Sequence, residues 1–204
     1  MKQLLTLALI SIISVGVNAT HNQGGVITYR HITGKTFEAT ITTYTRSGSP
    51  ANRNQLILDW GDNTTASLQK DTSFQINNST QKNIYKGTHL YTSNGVYILR
   101  VTDPNRNAGI INIPQSVSVP FVIMSELIVG TALPNNSVVF PTPPPMEIEL
   151  GKLFSFNPSA FDPDGDILSF ELVEPLSNNG PIAGSIPTGA TINLINGELN
   201  WVPN

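Results

Sequence analysis

The chain has 204 residues, 39% of them apolar, enough to build the cores of one large domain or of two sandwiches of about 100 residues each. Charged residues make up only 12%, against roughly 25% in an average soluble domain, while Ser, Thr, Asn, Gly and Pro are abundant, a mixture that favours strands and turns over solvated helices. A net charge of -3 without a basic run argues against a nucleic-acid or anionic-lipid partner, and the absence of cysteine excludes disulfides, thiolate nucleophiles and thiolate zinc sites.

The first predicted element is a targeting segment. "MKQLLTLALISIISVGVNA" carries Lys2, an apolar run from Leu4 to Val17 and the small-residue exit Val17-Asn18-Ala19. This is the pattern of a secretory signal peptide cut after Ala19, and the run is too short for a spanning helix. The expectation is a secreted or cell-surface protein, without membrane insertion after cleavage.

Period-two alternation dominates the mature chain. "TFEATITTYT" puts Phe37, Ala39, Ile41 and Thr43 on one face of a strand. "LILDW" does the same with Leu56, Leu58 and Trp60, and "VYILRV" with Tyr97, Leu99 and Val101, leaving Arg100 outward. "SVSVPFVIM" aligns Val117, Val119, Phe121 and Ile123 in a further strand, whose Pro120 lacks a donor and suits a sheet edge. No convincing helix follows the signal peptide.

A boundary is expected at residues 131–146, where "GTALPNNSVVFPTPPPM" around it holds five prolines and no sustained alternation, so the backbone there is extended and stiff. An edge strand at Val138 to Phe140 is its one regular feature. Beyond it, "LFSF", "ILSFELV" and "ATINL" with "GELNWVP" read as short strands of a second unit. The expected division is a signal peptide at 1–19, a sandwich at 20–130, a linker at 131–146 and a second sandwich at 147–204.

Catalytic patterns are sparse. His21, His31 and His89 are scattered without metal-ligand spacing, and no nucleophile elbow or phosphate-binding glycine loop occurs. Trp60 reads as a large core residue, Gly61 as the residue that lets the chain turn after it, Asp62 as an acceptor for turn amides, and His89 as a packed residue beside Tyr91.

The stretch "LDWGDNTT" followed by "THLYTSNGVYILRV" resembles the polycystic-kidney-disease type of domain, an immunoglobulin-like β-sandwich. Trp60, Gly61, Asp62, His89, Tyr91, Gly95 and Tyr97 occupy its signature positions. The phenylalanine expected before the Gly-Asp turn is missing, and Asn63 stands where glycine is common. Together with "ATHNQGGVITYRHITGKTFEATITTYT" and "VTDPNRNAGIINIPQSVSVPFVIMSELIV", the region is similar to the N-terminal part of large exported surface proteins of gliding bacteria, the clients of type IX secretion. The second half, "FNPSAFDPDGDILSFELVEP" and "IPTGATINLINGELNWVP", resembles cadherin-like, dystroglycan-type modules, which normally continue with further strands. The resemblance implies an all-β protein of two tandem immunoglobulin-like β-sandwiches, the second truncated.

Asp162, Asp164 and Asp166 recur at alternate positions around Gly165, and a tight turn can gather such oxygens as hard ligands for calcium. The spacing is not that of an EF-hand, since Ile167 and Val173 stand where its glycine and glutamate belong, but a cadherin-like resemblance implies calcium near module junctions. The alternative is that these carboxylates cap turn amides. The functional expectation is a non-enzymatic adhesion, spacer or presentation module, with surface polysaccharide or other cell-surface proteins as partners. Two further readings stand beside it. One is a carbohydrate-binding module stacking exposed Tyr29, Tyr44 and Tyr85 on sugar rings, and the other an accessory region of a secreted hydrolase.

Overall fold

The computed structural model describes residues 22–48, 53–133, 135–145 and 147–204. The expected signal peptide lies outside the described residues. The first unit comprises seven strands: β1 (Asn22–Thr33), β2 (Thr36–Arg46), β3 (Gln55–Asp59), β4 (Thr65–Gln75), β5 (Thr80–Leu90), β6 (Gly95–Asp103) and β7 (Phe121–Val129). The second half contributes β8 (Phe154–Phe156), β9 (Leu176–Ser177), β10 (Gly180–Pro181), β11 (Thr191–Ile192) and β12 (Leu199–Trp201). The protein is all-β, with no α-helix among the described residues.

Nine strands form one antiparallel sheet in the order β1-β2-β5-β4-β3-β6-β7-β9-β10, and β11-β12-β8 form a second, smaller one. The large sheet curls until β1 packs against β7, giving two layers of immunoglobulin-like type around one core. β4 makes the corner. Its first half, from Thr65 to Gln69, pairs with β3, its second half pairs with β5, and the register slips between Lys70 and Thr72. A bulge of this kind bends a strand sharply, which is how one strand can serve two layers.

The alternation read from the sequence is the alternation of the core. Phe37, Ala39, Ile41, Leu56, Leu58 and Trp60 are buried, together with Leu99, Val101, Leu127 and Val129, and Ile57, between two buried leucines, is 60% exposed. Toward the end of β2 both faces are covered, so Thr42 and Tyr44 are buried as well as Thr43 and Thr45.

Two predicted strands differ. Val117 and Val119 precede β7 rather than belonging to it. Gln115 adopts a left-handed conformation (φ 53°), the Ser118 and Val119 amides bond back to Gln115 and Ser116, and a 3-10 turn results at Ser116–Ser118. Pro120, without an N–H to give, then stands just ahead of the first ladder residue. "ILSFELV" is extended but joins no ladder. Its inward residues Leu168, Phe170 and Leu172 are half-buried while Ile167, Glu171 and Val173 face solvent. Phe170 is seated against Gly197, at φ 73°, where a Cβ would stand 2.6 Å from its ring, and the Phe170 amide donates to Leu194 O at 3.0 Å.

Two of the contacts between the halves involve backbone pairing, and Ser79 Oγ also donates to Glu147 Oε1 at 2.9 Å. The β9–β10 hairpin extends the first sheet beside β7, through the pair Val122 and Leu176, and Arg106 holds it with Nη2 on the Leu176 carbonyl at 2.6 Å. Asn112 donates from its side-chain amide to the Ser185 carbonyl. On the other side, residues 136–139 run between β1 and Phe161: the Ser137 amide donates to Tyr29 O at 3.0 Å, and Val139 and Phe161 exchange backbone bonds of 2.9 and 3.1 Å.

Candidate functional site

The turn after β3 gathers polar and aromatic groups from β3, β5 and β6. Alternation along β3 sends Leu58 and Trp60 inward, and Trp60 is 2% exposed. Gly61 takes φ 81°, and a Cβ there would lie 2.6 Å from the Ile98 amide nitrogen, so only glycine allows the turn to pass this close to β6. Asn63 follows at φ 68°, a conformation asparagine tolerates better than other side-chain-bearing residues, which accounts for its standing where glycine is common. Asp59 Oδ1 accepts the Gly61 amide at 2.9 Å. Asp62 Oδ1 accepts both the amide and the hydroxyl of Thr64, at 3.1 and 2.5 Å.

His89, on β5, closes this turn from the opposite strand. Its Nε2 lies 2.7 Å from Asp62 Oδ2, and its ring stacks on Trp60 and meets Tyr91 edge-on. Tyr91 in turn donates its hydroxyl to the Trp60 carbonyl at 2.9 Å and stacks on Tyr97. Burial alone raises the Asp62 pKa, but the bonds from Thr64 and His89 outweigh it, and the net shift is downward. Burial pushes the Tyr91 hydroxyl well above its ordinary value. Chemically, the Thr64 hydroxyl donates to Asp62 and the Tyr91 hydroxyl to the Trp60 carbonyl, and neither donates to the His89 imidazole. The arrangement braces a turn.

A second buried polar group sits at the other end of the core. Asp103, at the end of β6, receives Arg53 Nη2 at 2.9 Å and Asn22 Nδ2 at 2.8 Å. Burial raises its pKa more than these partners lower it. Tyr85 donates to the Arg53 carbonyl at 2.7 Å, and burial pushes its own pKa up to about 12. No sequence signal marked this group, because its members are 31 and 50 residues apart along the chain.

The three aspartates proposed from sequence as calcium ligands lie on one turn with different occupations. Asp162 Oδ1 accepts the Asp164 amide at 2.7 Å, and Gly165, at φ 88°, lets the turn close. Asp164 turns toward the linker, where its two oxygens accept the Asn136 amide and side-chain nitrogen at 2.6 and 2.8 Å. Asp166 is exposed. Among the described residues no group of three or more carboxylate or imidazole side chains converges as a cation cage. As folded, each Asp164 oxygen accepts one bond from Asn136.

Asn136 and Ser137 make the joint that sequence reading missed. Asn136 Oδ1 accepts the His31 amide at 2.9 Å while its nitrogens serve Asp164, and Ser137 Oγ accepts the Tyr29 amide at 2.8 Å. Two short polar side chains thus stand in for a strand along the edge of β1. The aromatics put forward for sugar stacking are unavailable for it: Tyr29, Tyr44 and Tyr85 are 8%, 6% and 1% exposed, since β1, β2 and β5 turn them into the protein. That expectation is corrected.

No family model matches the chain, and no curated protein or solved structure is significantly similar to it.

Proposed function

We propose that the chain is a non-catalytic adhesion, spacer or presentation module of an exported, multidomain cell-surface protein. The observation that carries this reading is the joint between the halves. Asn136, Ser137 and Asp164 tie the proline-rich stretch to β1 on one side and to the Asp162–Gly165 turn on the other. A spacer needs a hydrogen-bonded, proline-stiffened connection of this sort, because it must transmit position and load between modules. The polar side chains clustered in the first unit point the same way, since they brace turns and strand ends. The leader-like N-terminus supports export.

The test is surface location and a mechanical or adhesive phenotype. Protease shaving of intact cells should remove epitopes within residues 22–204, and deletion of those residues should reduce attachment or surface display without loss of any enzymatic turnover. Exclusive recovery from the cytoplasm, or a hydrolytic activity that tracks with the purified chain, would overturn the proposal.

A further inference from the structure

Asp59 on β3 and Arg100 on β6 stand directly opposite each other in the ladder, where opposite charges ordinarily pair. Among the described residues the ion pairs do not include this one. Asp59 uses Oδ1 for the Gly61 amide. Arg100 is drawn along its own strand, with Nε 3.3 Å from Thr102 Oγ1 and Nη2 3.4 Å from the Ser177 carbonyl. Both long contacts leave most of the guanidinium's donors unused.

The two charges instead flank an open cleft of about 370 Å³ on the outer face of the sheet, lined also by Ile57, Thr102 and Asn178. Leu58, Leu99 and Val101, their neighbours along the strands, point the other way into the core, so the cleft has a rigid floor. Asn178 comes from the β9–β10 hairpin, so both halves of the sequence build the site. The volume is in the range of small-ligand pockets.

We propose that this cleft binds one pyranose unit of a polysaccharide. A vicinal diol offers a donor and an acceptor side by side: one hydroxyl donates to Asp59 Oδ2 and its neighbour accepts from Arg100. Thr102 and Asn178 supply neutral partners for further hydroxyls. Ile57, 60% exposed beside them, meets the apolar C–H edge of the ring. An anion would be opposed by Asp59 and a cation by Arg100. A free amino acid would satisfy both charges but leave the neutral partners and Ile57 without contacts. The cleft is open at the sheet surface, so a polymer can run on past the bound unit. This assignment rests on the reading of the chain as an adhesion module and names the class of its ligand.

The experiment is a 15N-correlated NMR titration of residues 20–204 with methyl α-glucopyranoside, methyl α-mannopyranoside, methyl β-galactopyranoside and N-acetylglucosamine, with glycine as the zwitterionic comparison. At least one pyranoside should give saturable shifts at Ile57, Asp59, Arg100, Thr102 and Asn178. Asp59→Asn, which keeps an acceptor for Gly61, and Arg100→Gln should each weaken that binding about tenfold, the effect of losing a charge-assisted hydrogen bond. Thr102→Val and Asn178→Ala, away from the Gly61 turn, should weaken it less. The site is overturned if no pyranoside shifts those amides, if glycine binds there in preference, or if all four variants bind like the wild type. Cell attachment that is lost on deleting residues 22–204 but unchanged in Arg100→Gln would remove this site and leave the adhesion reading standing. Attachment unaffected by the deletion would remove the adhesion reading itself.

Discussion

His89 lies almost flat on Trp60, with ring centroids 4.9 Å apart and planes inclined by 15°, while its Nε2 reaches Asp62 across the turn at 2.7 Å. One imidazole therefore covers the core indole and closes the loop that leads away from it. Loss of the indole and loss of the carboxylate have consequences that separate by size.

Trp60→Ala should destabilise the first unit by roughly 3–5 kcal/mol, the cost of emptying a large buried aromatic site. Asp62→Ala removes bonds to Thr64 and His89 in a partly solvated turn and should cost about 1 kcal/mol. Denaturant midpoints at constant slope measure both. Equal midpoints for Trp60→Ala and the wild type would contradict the packing described for the indole.

Asp62 also sets a pH dependence. Its folded pKa lies below the ordinary value of 3.8, so the folded state binds the proton less tightly than the unfolded one. The stabilisation is present above that ordinary value and is lost as pH falls through the folded pKa. Thermal unfolding followed downward from pH 5 should show a steeper loss in the wild type than in Asp62→Asn; parallel curves would refute the assignment.

Asp103 works in the opposite direction. Its folded pKa is raised, burial outweighing Arg53 and Asn22, so its charge costs stability at neutral pH and the cost shrinks as the pH is lowered. Arg53→Ala leaves the Asp103 side chain, 1% exposed, with Asn22 as its hydrogen-bond partner among the described residues. The variant should lose about 3–5 kcal/mol at neutral pH, as breaking a buried pair does. Part of that loss should return on mild acidification as Asp103 takes up a proton. Chemical denaturation at two pH values tests both statements.

The joint makes a dynamic prediction. Asn136→Ala removes the side-chain bond to Asp164 and keeps the backbone one, while Asp164→Asn leaves a single acceptor for the two Asn136 donors, so each weakens the tie between the linker and the Asp162–Gly165 turn. Either should increase the mobility of the Asp162–Gly165 turn, read from 15N relaxation, while the core signals of the first unit and of the β9–β10 hairpin stay in place. Calcium at several millimolar tests the Asp162–Asp166 turn as a cation site: a rise in melting temperature that is lost in Asp166→Asn would support it, and no change would rule it out.

Local pattern alone carried the strand faces of this protein. Side chains alternate with period two, so Phe37-Ala39-Ile41 and Leu56-Leu58-Trp60 had to share a buried side wherever the strands paired. The glycine turn was legible for the same reason, since a left-handed backbone restricts which residues can stand there. The polar strands β4 and β5 had no such signal. Only pairing with their neighbours makes "TASLQKDTSFQ" and "TQKNIYKGTHL" strands, and only the bulge near Asp71 lets β4 turn the corner between layers. The exposure of the tyrosines was likewise undecidable from spacing, because β1 and β2 are covered on faces that alternation alone leaves open. Contacts between residues far apart in the chain, such as Asn22 with Asp103, Asn136 with Asp164, and Asp59 opposite Arg100, leave no periodic trace. Their geometry is set by strand order and register, and these are properties of the folded sheet as a whole.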